Sequence, residues 1–358
     1  MERQLYTYTP SFSPKNPVTF ERNEQLAKWL AINLGFKFQG EYKNRISDDA
    51  LENAFFVPHE AIPPNEAEAL AIVTRDKIFG AVCDPLFSKK SIFHSPVPDA
   101  KYVPENFPIS FATGIQKISS PGYTVFSLED AIKAFNLLRK EGLVIRFKNP
   151  LSTGGRGQYV VKDFPQLMDF ISKIDPELFK KFGIILETNI YSDEDNPLTA
   201  FSSGWIEIDG ETFAYVGKQT TGQDNRYLGT RLHMVRGEEM PFVDEIPKKI
   251  TTDSNFIKTL IPLLPGLIST RSNFNFAGTN DDNIFALEPT FRVGGATGAE
   301  LLAREILSRD AKALKVTAST HVIYGENFEI PDGYRLISKS RDQVRGSKTT
   351  FARVDKVE

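Results

Sequence analysis

The stretch that most constrains how this chain can fold runs over residues 143–161, LVIRFKNPLSTGGRGQYVV. Leu143, Val144 and Ile145 open one apolar run, and Tyr159, Val160 and Val161 form a second. Such runs bounded by Pro and Gly read as strand, turn, strand. Between them stand the cations Arg146 and Lys148, then Pro150, then Gly154, Gly155 and Gly157. Glycines at such a turn accept positive φ and let backbone N–H groups approach a ligand, which suits an anion-cradling loop. Lys148 ends the strand that feeds the loop, where a point charge meets phosphate oxygens. A plain β-hairpin with a surface lysine reads equally well from these residues alone.

The chain around it has 358 residues, enough for two or three domains with sizeable cores. A net charge of −3 gives no global support for binding nucleic acid or an anionic membrane. Cys83 is the single cysteine, which excludes an internal disulfide framework and a Cys-based zinc site; it reads as a small buried hydrophobe. The start MERQLYTYTP lacks the basic-then-apolar pattern of a signal peptide, and no apolar run reaches the length of a bilayer span. The expectation is a cytoplasmic protein with no nucleic-acid and no membrane partner.

Along the chain, residues 1–20 read as an extended lead-in and 21–35 as a helix carrying Leu26, Trp29, Leu30, Ile32 and Leu34. Residues 69–73 and 78–82 are short enough for strands, and the proline-rich 84–108 reads as a connector. After a strand at 123–126, Ser127 and Asp130 cap a helix that Gly142 ends. Asp163 and Gln166 cap another, and GIILETNI (183–190) is an apolar strand running into Glu187. Residues 198–237 look all-β, a helix lies around 256–264, and a hairpin spans 273–288 across an Asp-rich turn at 279–283. Thr297 and Glu300 cap a last helix, before a partly strand-like, basic, polar tail.

Within FALEPTFRVGGATGAE, Glu288, Thr290 and Arg292 alternate along an extended chain and so share a face. A carboxylate, a hydroxyl and a guanidinium on one strand face can hold a divalent cation and the phosphate it bridges. A surface strand whose Glu and Arg merely pair is the competing reading.

In this order and spacing, over residues 115–310, the motifs resemble the ATP-grasp superfamily. Lys148 with Gly154, Gly155 and Gly157 resembles its K/R-P-x4-G-G-x-G phosphate loop, with Pro150 displaced by one place. Glu187 resembles the hinge carboxylate, whose flanking backbone at Leu186 and Thr188 would bind the adenine edge. Lys218 resembles the basic residue that faces the γ-phosphate or substrate carboxylate, Glu288 the magnesium-bridging glutamate, and Arg292 the arginine that steadies an acyl-phosphate. Thr290 stands where the family usually has Asn, and Asn275 where it usually has Asp or Glu, so two neutral ligands replace stronger ones; Asp281 and Asp282 lie on the presumed turn. The strings PGYTVFS, GGRGQ and RVGGATGAE are similar to a little-characterised bacterial branch.

The resemblance implies an α/β protein with α+β lobes: a small pre-ATP-grasp domain and linker (1–115), an ATP-grasp domain with a nucleotide cleft between two lobes (116–311) and a C-terminal strand and basic tail (312–358). It implies ATP and Mg2+ as cofactors, small-molecule carboxylate and amine-type substrates, and ADP-forming ligation through an acyl-phosphate; a homodimer is compatible with it. A phosphotransferase and a nucleotide-binding regulatory module with little catalysis stay open beside the ligase. His59, His94, His233 and His321 read as structural histidines; Lys90, in SKKSIFHSP, reads as a solvated lysine, with a reach to the nucleotide from the preceding domain as the alternative.

Overall fold

The computed structural model describes residues 2–13, 17–43, 46–152, 157–190, 198–222, 226–280, 283–325, 328–342 and 345–358. Gly154, Gly155, Asp281 and Asp282 lie outside the described residues.

The N-terminal unit begins with strand β1 (Gln4–Tyr8), within the stretch expected as an extended lead-in, and helix α1 (Pro17–Leu34). Strand β2 (Lys37–Glu41), the short helix α2 (Asp48–Glu52) and strand β3 (Ala54–Pro58) follow. β1 sits between β2 and β3 in a parallel sheet, and such a sheet needs crossovers like α1. Leu26, Ala27, Leu30 and Ala31 recur at helical spacing and are buried, whereas Ile32 faces solvent at 74% exposure. Helix α3 (Pro64–Ala69) is followed by a turn rather than the strand expected at 69–73, and only β4 (Ala81–Val82) survives of the strand expected at 78–82.

The proline-rich stretch after it is no loose connector. It folds into two 3-10 turns, Pro85–Ser88 and Lys90–Phe93, whose Leu86, Phe87, Ile92 and Phe93 are almost fully buried. Helix α4 (Ile109–Ile115) then leads into the first lobe. That lobe holds β5 (Gly122–Val125), α5 (Leu128–Lys140), β6 (Ile145–Lys148), β7 (Gln158–Val161), α6 (Phe164–Ser172), α7 (Pro176–Phe182) and β8 (Ile184–Thr188). The strand order is β5-β8-β6-β7, all antiparallel, with the β6–β7 hairpin as expected. Ser127 and Asp163 cap α5 and α6 through bonds from the Asp130 and Gln166 N–H groups. Ala131, Ala134, Phe135 and Leu138 of α5 and Leu167 and Ile171 of α6 pack on one face of the sheet, against Ile145, Phe147 and Leu186. Strand alternation then turns Arg146, Lys148 and Glu187 to the opposite face.

The second lobe runs through β9 (Thr199–Ile208), β10 (Glu211–Thr221), β11 (Tyr227–Arg236), α8 (Lys248–Leu260), β12 (Ile268–Ser269), β13 (Arg271–Gly278), β14 (Ile284–Thr290) and α9 (Thr297–Arg309). Strands β15 (Lys315–Tyr324), β16 (Arg335–Asp342) and β17 (Gly346–Val357) complete it. Among the described residues they join one eight-stranded sheet, β14-β13-β9-β10-β11-β15-β17-β16. The expected C-terminal strand is β15, and the basic stretch expected after it continues the same sheet as β16 and β17, because β15 pairs directly with β11 and β17. Two apolar clusters sandwich it: Phe201, Ala214, Val216, Phe274 and Phe276 face α4 and α8, while Ile206, Phe213, Leu232 and Met234 face α1 and α9.

Glu300 does not cap α9. It is fully buried and takes two bonds from Arg271, Nε to Oε2 at 2.8 Å and Nη2 to Oε1 at 2.7 Å, while Tyr215 Oη donates to Oε1 at 2.7 Å. Burial works against the charged Arg271, but Glu300 and Tyr215 outweigh it and its pKa is raised. Arg271 Nη1 also donates to the carbonyls of Thr290 and Arg292, so this pair sets the exit of β14. Among the described residues no helix is long and apolar enough to cross a membrane.

Candidate active site

Lys148 and Glu187 project from the same face of adjacent strands and form a buried ion pair. Burial lowers the Lys148 pKa, opposed by Glu187; the Glu187 carboxyl is pushed up by burial yet held below its usual range by Lys148, His94 and Arg146. His94, from the turn after the second 3-10 segment, stands 3.4 Å from Glu187 Oε2 and 3.0 Å from the Ser120 carbonyl. Burial drives its pKa down to about 4, so it is a neutral ring at pH 7. Its Nδ1 and the Ser120 Oγ are buried with no hydrogen-bond partner among the described residues, two polar groups that favour a ligand or water beside them.

The described stem of the glycine loop is tight. Asn149 N–H donates to the Gly157 carbonyl at 2.9 Å and Ser152 N–H to the Asn149 carbonyl at 3.2 Å. Gly157 has φ +65°, and a Cβ there would lie 2.3 Å from Ser152 Oγ, so this turn requires glycine.

Lys90 is not the solvated lysine that its sequence favours. It is buried, its Nζ donates to the Ser152 carbonyl at 3.1 Å and sits 3.1 Å from Glu288 Oε2. It therefore joins the loop stem of one lobe to the β13–β14 hairpin of the other. Burial raises the Glu288 pKa but Lys90 and Lys148 together outweigh it, so Lys148 and Glu288 lie close enough for their charges to act on each other. The structure thus brings Lys148, Glu187, Lys90 and Glu288 into one charged cluster between the two lobes.

Other expected site residues sit differently. Leu186 is mid-strand with ladders on both sides, and the Thr188 N–H donates to the Pro121 carbonyl at 2.7 Å. An adenine edge therefore meets no open strand at Leu186 and Thr188, because β8 is an interior strand. Lys218 is exposed and pairs in register with Phe201, opposite the sheet face that carries Ser202, Gln219 and Asn275. Arg292 Nε pairs with Glu60 Oε1 of the N-terminal unit at 2.9 Å.

The residues fit magnesium only in part. Asn275 Nδ2 donates to Glu288 Oε1 at 3.2 Å, while Asn275 Oδ1 accepts from Gln219 Nε2 at 2.9 Å and Ser202 Oγ at 3.2 Å. That network leaves Asn275 no oxygen to offer a cation. Among the described residues no three His, Cys, Asp or Glu side chains group as a metal site. Glu288 suits one ion carried on nucleotide phosphates, for magnesium is commonly held by one or two carboxylates plus phosphate. A second ion between Glu288 and Asn275 does not fit.

Two antiparallel-sheet lobes, one carrying Lys148 and the Gly157 turn and the other the β13–β14 hairpin with Glu288, have the arrangement of the ATP-grasp fold, and solved structures agree. N5-carboxyaminoimidazole synthetase from Staphylococcus aureus superposes with a TM-score of 0.58 at 10% identity, over 99% of this chain and 94% of that one. Biotin carboxylase from Campylobacter jejuni, in a β,γ-ATP complex, gives 0.56 at 12% identity, over 97% and 87%. The biotin carboxylase domain of Hydrogenobacter thermophilus 2-oxoglutarate carboxylase, solved with MgADP, ADP and bicarbonate, gives 0.56 at 12% identity, over 99% and 86%. By sequence, residues 13–352 match DUF3182, described as a protein of unknown function, and the chain belongs to that family. No curated protein matches it.

Proposed function

We propose that this protein is an ATP-dependent, ADP-forming ligase that joins a small carboxylate to an amine or similar nucleophile. The observation that carries this reading is the cross-cleft cluster of Lys148, Lys90, Glu187 and Glu288, two buried lysines aimed between the lobes from which the bound nucleotide's charge would be met. Magnesium, when bound at Glu288 with the phosphates, would supply further neutralisation of the transferring phosphoryl group. The chain's own part is positional and electrostatic: Lys148 and Lys90 exchange their carboxylate partners for phosphate oxygens, and Arg292 faces charge that builds on the substrate carboxyl. The carboxylate oxygen attacks the γ-phosphorus, ADP leaves, and the nucleophile then displaces phosphate from the acyl carbon. The acyl chemistry needs no protein nucleophile.

A second reading, a nucleotide-binding module with little turnover, is favoured by one observation, the Asn275 amide locked away from any cation. ADP release against pooled amino acids and small carboxylic acids separates the two. A ligase gives substrate-stimulated ADP release, and Arg292→Ala lowers kcat by roughly two to three orders of magnitude with ATP binding little changed. Tight ATP binding without stimulated release across the pool would leave only the binding module.

A further inference from the structure

Beside the nucleotide cluster lies a second group of charges that the ligase reading does not use. Consecutive residues Lys89 and Lys90 diverge at the junction of the two 3-10 turns, where Lys89 is extended (φ −109°, ψ 152°). Lys90 reaches Glu288, while Lys89 Nζ reaches Glu60 Oε2 at 3.4 Å and Arg292 Nε reaches Glu60 Oε1 at 2.9 Å. Glu60 follows His59, whose ring Nδ1 stands 3.1 Å from Asn23 Nδ2, and Phe20 stacks on that ring at 4.2 Å. Arg22 comes in from the same turn of α1. Its Nε and Nη2 both donate to Asn23 Oδ1, at 3.2 and 3.0 Å, and among the described residues it makes no ion pair.

Two of these cations thus share one carboxylate, and Arg22 adds a third positive charge whose side chain, among the described residues, bonds only to the neutral Asn23 amide. Arg271, also nearby, is neutralised by Glu300, and His59 is neutral at pH 7, its pKa driven down to about 4 by burial, with Arg22 and Arg292 adding to the effect against Glu41 and Glu60. Burial lowers the Arg22 guanidinium to about 10, and Arg292 adds to that against Tyr227. Tyr227 closes the other side. Its ring lies so near Gly295 that a Cβ there would stand 2.6 Å from it, so the second glycine of RVGG is what seats the tyrosine. Arg292 keeps 19% of its side chain exposed, so a small ligand can reach it.

We propose that Arg22, Lys89 and Arg292 form the acceptor site of this protein, and that it takes a small acid carrying a second anionic group besides the carboxyl that reacts. The site rests on the ligase reading above and narrows its substrate to a dicarboxylate or a phosphorylated carboxylate. Arg292 is shared between the reacting carboxyl and Glu60, and Arg22 holds the second anionic group through its planar fork of donors.

The test is isothermal titration of wild-type protein saturated with a non-hydrolysable ATP analogue and magnesium. The probes are succinate, 3-phosphoglycerate, propionate and lactate. At least one dianion binds roughly ten- to hundred-fold tighter than the monoanions, the equivalent of one or two charge-assisted contacts. Succinate and 3-phosphoglycerate separate the two sources of the second charge. Arg22→Ala erases that preference and leaves analogue and monoanion affinity unchanged, whereas Arg22→Lys keeps part of it. Dianions binding no better than monoanions to wild type, or a preference that survives Arg22→Ala, overturns the proposal. Failure of the analogue to bind at all overturns the nucleotide reading instead, and the dianion titration is then repeated without it and judged by the same two outcomes.

Discussion

Lys148 and Glu187 illustrate how a buried charge is tolerated: each is desolvated, and each is stabilised by the other. Breaking one side of such a pair typically costs about 3–5 kcal/mol, because the remaining charge is left alone in low dielectric. Lys148→Met is expected to lower stability in urea unfolding by about that amount, and Lys148→Met with Glu187→Gln to recover more than half of it. Strict additivity of the two changes would mean that the pair is not coupled in the folded protein. Lys148, Gly157 and Glu288 could be singled out from sequence because each sits in a local pattern, a charge at a strand end or a glycine at a turn. Lys90 could not. What buries it is Glu288 and the Ser152 carbonyl, both far along the chain, and nothing within SKKSIFH separates Lys90 from a solvated lysine. Glu300 failed for the related reason that its S/T-x-x-E spacing fits a capping box, while Arg271 offers it a stronger, buried partner.

At the scale of elements, periodic segments were legible and aperiodic ones were not. The helix face of α1, the capped α5 and α6 and the β6–β7 hairpin follow from spacing alone. The segment 84–108 has prolines and no period, so it read as a connector, yet it forms the wall of the site and carries Lys89, Lys90 and His94. The prolines bend the backbone into short 3-10 turns that a periodicity argument cannot see. This element also carries a pH dependence. The folded-state pKa of His94, like that of His59, is depressed to about 4, below the ordinary 6.5. The unfolded chain therefore binds protons that the folded one refuses, so stability is full above about pH 6.5 and falls as pH drops toward 4. The depressed carboxyls of Glu60, Glu187 and Glu288 add their loss only below their ordinary 4.5. Thermal unfolding between pH 7 and 5 is expected to show Tm falling with pH, and His94→Asn to reduce that slope. A slope unchanged by the substitution would place the titration elsewhere.

Over the whole molecule, the second lobe, the strands after α9 and the N-terminal unit are bound together. The eight-stranded sheet runs through to β16. Thr270 Oγ1 donates to the Ile78 carbonyl at 2.7 Å, β4 pairs with β12, and Arg292 pairs with Glu60. The two-lobed α/β plan could be read from motif order, whereas the continuity of the C-terminal strands with the sheet depends on β11–β15 pairing that no local signal announces. The lobes meet through Lys90, and on the proposed function Lys148 and Lys90 together bind a nucleotide between the two lobes. The direct measurement is isothermal titration of a non-hydrolysable ATP analogue with magnesium into wild type, Lys148→Ala and Lys90→Ala, each first confirmed as folded by circular dichroism. Wild type is predicted to bind one equivalent and each variant to bind roughly ten- to hundred-fold more weakly, the loss expected for one charged contact. Absence of binding by wild type, or equal affinity in all three proteins, would contradict it.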